Sequence, residues 1–152
     1  MKFPQQVQDV LSAGSWSDPG PEALNKLLGL EEGDSDLVLF ASREMMERIK
    51  DDLDGGGYVD DPEFCMVRNQ RDRAGSADPR LVYADTVFVG GAKFPGDDVF
   101  LAIDTSKPEH DQHVLWFDWS RPAPERWTPL VSVAVFVKRL AELIAERQAP
   151  SR

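Results

Sequence analysis

Apolar and polar positions along this chain divide it into helices first, a run of strands next, and one long helix last. Over Phe3–Ala13, Val7, Val10 and Leu11 fall on one helical face, and Gly14 ends the pattern. Ser15–Pro21 reads as a loop because Pro19, Gly20 and Pro21 crowd it. Pro21 also suits the first turn of a second helix, whose stripe is Leu24, Leu27 and Leu28 and whose stop is Gly29. Leu37–Phe40 predicts a short buried strand. Ser42 is placed to cap the helix that follows. In that helix Met45, Met46, Ile49 and Leu53 recur at helical spacing as core, while Arg43, Glu44, Glu47, Arg48 and Lys50 are predicted to face water.

The pattern breaks over Asp54–Glu63, where Gly55, Gly56 and Gly57 are followed by Tyr58, Asp60, Asp61 and Pro62. Phe64–Val67 predicts a strand, and the polar, Arg-rich stretch Arg68–Arg80 an exposed loop. Three strands then follow: Leu81–Val89, Val99–Asp104 and His113–Trp119, rich in branched and aromatic residues. Gly90-Gly91 and Pro95–Asp98 supply turn chemistry between them. In the third, Val114, Trp116 and Asp118 alternate with Leu115, Phe117 and Trp119, as in a sheet covered on one side. Ser120–Pro129 reads as a Pro-rich loop. Ser132 can cap the last helix, where Val133, Phe136, Val137, Leu140, Leu143 and Ile144 make the cleanest helical stripe in the chain. This order predicts an α+β fold: a single domain over 1–152, mainly antiparallel sheet, with helices packed at one face and a C-terminal helix.

Charge changes the picture more than composition does. The 152 residues carry a formal net charge of −10. The stretch 31–63 holds twelve acids against three bases, a net of −9, so almost the whole imbalance sits there. That sign opposes nucleic-acid binding, which needs cations to neutralise phosphates. It would steer a basic protein instead. Acids of this kind also simply keep a protein in solution, and the charge alone does not separate the two. There is no apolar run long enough to span a membrane. The N-terminus lacks the apolar core of a signal peptide, and the one cysteine, Cys65, forms no internal disulfide. Together these point to the cytoplasm.

Candidate chemistry is sparse. The glycine run at 55–57 lacks the Gly-Lys-Ser/Thr of a phosphate loop, and the acids around it lack calcium-loop spacing. Glu109-His110-Asp111-Gln112-His113 resembles a metal cluster only loosely and reads as a polar hairpin loop. Cys65 has no nucleophile signature around it. A small hydrolase using Cys65 or the His110/His113 pair is the enzymatic alternative. Neither a metal nor a cofactor is implied. Trp127, in a Pro-rich stretch, is the candidate for an exposed anchor, against the alternative that it folds back over the sheet.

Val87–Gly91 followed by Gly96-Asp97-Asp98-Val99-Phe100-Leu101-Ala102-Ile103-Asp104 resembles the core of the SUKH superfamily (the Smi/Knr-like group). Trp116-Phe117-Asp118 is similar to its aromatic-Asp strand end, and Ser132–Leu140 with Phe136 to its closing helix. Leu39–Met45 resembles the segment that leads into an early helix. The likeness runs over roughly 24–145 and is best over 87–145. The N-terminal Pro-Pro and Asn-Gly-Gly signatures are not seen, and Gly90–Pro95 replaces a shorter acidic-glycine turn. What the resemblance implies is a non-enzymatic α+β binding module. Many bacterial members are immunity proteins that neutralise a toxin, often a nuclease; others are regulatory interaction modules. On that reading the partner is a basic toxin domain, met by Asp51, Asp52, Asp54, Asp60, Asp61 and Glu63, with Tyr58 and Trp127 as anchors. The alternative is a housekeeping regulator bound to an endogenous protein.

Overall fold

A computed structural model describes residues 3–30, 37–55, 85–92, 99–117 and 127–149. The predicted strand at 64–67, the loop at 68–80 and the turn at 95–98 lie outside them. Helices α1 (Gln5–Ser12) and α2 (Pro21–Leu28) come first, then strand β1 (Leu37–Leu39) and helix α3 (Arg43–Gly55). Strands β2 (Thr86–Ala92), β3 (Phe100–Asp104), β4 (His113–Phe117) and β5 (Trp127–Ser132) follow, and helix α4 (Val133–Gln148) closes the chain. The five strands form one sheet in sequence order, every pair antiparallel. This is the α+β domain predicted from the chain, with helices packed against an antiparallel sheet and a C-terminal helix.

The sheet curls. Phe88 on β2 and Trp127 on β5 lie three strand spacings apart, about 14 Å across a flat sheet. Their ring centroids are only 6.5 Å apart, so the sheet folds round them. Helix α2 packs against both edge strands, β1 and β5, and α4 packs against β4, β5, α1 and α2. Trp16 joins this group, edge-on to Phe136 at 6.1 Å, with its indole N–H donating to the Phe40 carbonyl at 2.8 Å.

Four differences from the sequence reading have physical causes. Gly90 and Gly91 are strand, not turn: they pair with Leu39 and Val38 of β1. A Cβ on Gly90 would stand 2.6 Å from the Val38 carbonyl oxygen, so the glycine permits this close approach. Trp127–Pro129 is strand rather than loop; a proline is tolerated there because β5 is an edge. In β4 both Val114 and Leu115 are buried, as are successive residues of β3, so the inner strands are covered on both faces rather than one. Helix α3 runs through Asp54 to Gly55, past the break that the glycines suggest.

Candidate functional site: the outward face of α3

Helix α3 starts at a serine cap. The Ser42 hydroxyl accepts from the Met45 amide at 3.1 Å, and the Ser42 carbonyl accepts from Met46 N at 3.1 Å. At 100° per residue, Met46 and Lys50 then turn toward β2, against which the helix packs, while Glu44, Met45, Arg48 and Asp51 turn away. Burial agrees. Met46 is buried and Glu44, Arg48 and Asp51 are exposed. Lys50, expected in water, is only 7% exposed and donates to the Thr86 carbonyl at 2.8 Å. Its stem lies along the inner side of the helix, and a backbone oxygen of β2 receives its charged end. Met45, expected in the core stripe, is 39% exposed instead.

Two charges near this face are committed to the fold. Arg43 pairs with Glu47 at 2.9 Å, donates to the Gln8 side-chain oxygen at 3.1 Å, and lies 4.6 Å over the Phe3 ring. Through Arg43, the N-terminal helix is tied to α3. Among the described side chains, the acids that face outward are Glu44 and Asp51, with Arg48 between them.

The candidate binding residues fare differently. Asp51 is exposed on α3. Asp52 and Asp54 fall within the same helix. Tyr58, Asp60, Asp61 and Glu63 lie outside the described residues, as does Cys65. Trp127 is not an exposed anchor: it is 0% exposed, on β5, with its ring against Phe88. The curl of the sheet draws this large ring inward, where its apolar area is worth most. Met45 is the residue missed as a surface feature. The signal was its place three residues after Ser42, on the outer side of the wheel from Met46.

The polar stretch before β4 forms a second feature. Glu109–Asp111 is a single 3-10 turn, and exposed His110 lies 3.4 Å from the Asp111 carboxylate. The His113 ring nitrogen Nδ1 is 3.1 Å from the Asp111 carbonyl oxygen. Buried Asp104 accepts from both the backbone N–H and the hydroxyl of Ser106, at 2.9 and 2.6 Å. Asp104, Lys107, Asp111, His113, Leu115 and Pro129 line a cleft of about 40 Å³. That is room for one or two waters and far short of a substrate pocket. Among the described residues, no three His, Cys, Asp or Glu side chains converge as metal ligands, and no helix is long and apolar enough to cross a membrane.

The chain matches no protein-family profile, no curated protein and no solved structure.

Proposed function

We propose that this chain is a non-enzymatic protein-binding module acting in the cytoplasm, and that its role is that of an immunity protein against a basic toxin domain of the nuclease type. The observation that carries the reading is the acidic stretch 31–63, net −9, part of which α3 presents to solvent through Glu44 and Asp51. A basic nuclease surface is built to receive phosphates, and an acidic segment offers the same sign of charge. The resemblance of Val87–Asp104 and Ser132–Leu140 to the SUKH superfamily supports the immunity role over a generic acidic surface. Attraction of this kind is screened within a Debye length, about 8 Å at physiological salt, so binding weakens as salt rises.

The test is charge reversal at Asp51, Asp52, Asp60 and Asp61 together, in the full chain, against the partner recovered by affinity capture and identified by mass. Loss of binding and a flatter salt dependence are expected. Unchanged affinity with an unchanged salt slope would remove the acidic surface from the interface. A toxin gene beside this one would favour immunity over housekeeping regulation.

A further inference from the structure

We propose that Met45 is an oxidation site, and that its sulfoxide completes the cap of α3, so that peroxide tightens the start of this helix instead of damaging it.

Met45 stands at the third helical position after its cap, Ser42, whose hydroxyl accepts from the Met45 amide at 3.1 Å. That contact is one side of a capping box. The other side is a Glu or Gln at the third position, whose side-chain oxygen accepts from the cap residue's own N–H, an amide the helix ladder does not use. A thioether sulfur is only a weak acceptor and does not complete the box. Methionine sulfoxide carries a polar oxygen on its δ atom, as glutamine does, the same number of bonds from the backbone. Oxidised Met45 therefore stands in for the glutamine that the motif prefers.

The two adjacent methionines divide by access. Met45 is 39% exposed and Met46 is 1% exposed, turned toward β2. An oxidant meets the Met45 sulfur first. With hydrogen peroxide, the sulfur lone pair takes one oxygen: the O–O bond breaks, an S–O bond forms, and the remainder leaves as water. Sulfur loses two electrons and the peroxide gains them. A dithiol reductant reverses the step, ending as a disulfide with the oxygen released as water. At Met46 the same oxygen would enter the core and cost stability. At Met45 it stays on the solvent side of the helix. The turn that gains the bond begins with Arg43, which donates to Gln8 and lies over the Phe3 ring, so a firmer cap firms the joint to the N-terminal helix. Val135 holds the equivalent position after Ser132 and is 38% exposed, but it has no sulfur, so the start of α4 does not respond.

The full chain is treated with hydrogen peroxide, the site is read from fragment masses that separate the two methionines, and exchange of the Ser42 amide is followed by NMR. The expected result is one added oxygen at Met45 with Met46 unmodified, and Ser42 exchange slowed about twofold. Met45→Gln slows it without peroxide, Met45→Leu abolishes the response, and a methionine sulfoxide reductase with dithiol restores the original rate. Oxidation of Met46 as fast as Met45 overturns the proposal. So does unchanged or faster Ser42 exchange in the oxidised chain, or the same slowing in Met45→Leu, which would place the cause at another methionine.

Discussion

Helices α3 and α4 begin alike and end as different objects. Each opens on a serine whose hydroxyl takes the amide of the third helical residue, and each leaves that residue, Met45 or Val135, in solvent. Beyond the first turn they part. α4 buries Val133, Phe136, Val137, Leu140 and Ile144 along its full length, and its charges nearly balance, three bases to two acids. α3 sets buried Met46 and the stem of Lys50 against β2, and it carries five acids to three bases. One helix is held by an apolar stripe, and its outer face is ordinary solvated surface. Among its described side chains, the other sets Met46 and Lys50 inward and leaves Glu44, Arg48 and Asp51 exposed.

The comparison can be broken most forcefully from the inside. Phe136→Ala on α4 should cost about 3–5 kcal/mol and Met46→Ala on α3 about 2–4 kcal/mol, since both side chains are essentially inaccessible. Urea unfolding midpoints measure both. If Met46→Ala costs less than about 1 kcal/mol, α3 is not seated on β2 as described. The caps come next. Ser42→Ala and Ser132→Ala should each cost about 1 kcal/mol, and near-equal values would show that the two helices start by the same device. The smallest effects on stability belong to the outer positions. Met45→Gln and Val135→Gln should move stability by under about 0.5 kcal/mol in either direction, with any gain coming from the capping-box position that glutamine then occupies. A large loss at Met45 would make it a packing residue after all.

Much of this was legible in the chain because it depends on neighbours in sequence. Pro21 and Gly29 bracket α2, with Gly29 in the left-handed conformation that glycine favours at a helix end, φ 73°. Ser132 and the stripe after it define α4. The acidic stretch and its solvent-facing acids on α3 follow from the same local reading. What was illegible depends on residues far apart. Gly90-Gly91 carries turn chemistry, yet β1 lies so close that only glycine fits beneath the Val38 carbonyl. Pro129 speaks against a strand in general but not against one at a sheet edge. Lys50 reads as a surface residue until Thr86 provides its oxygen.

By itself, then, the sequence determined where the helices begin, the α+β class and the sign and place of the charge along the chain, all of them consequences of spacing and residue type. Only the tertiary structure decided the fate of Trp127 and Met45. Trp127 went inside because the curl of the sheet brings Phe88 to it. Met45 stayed outside because the packing of α3 on β2 faces Met46 and Lys50 inward, which turns Met45, 100° round the helix from Met46, toward solvent.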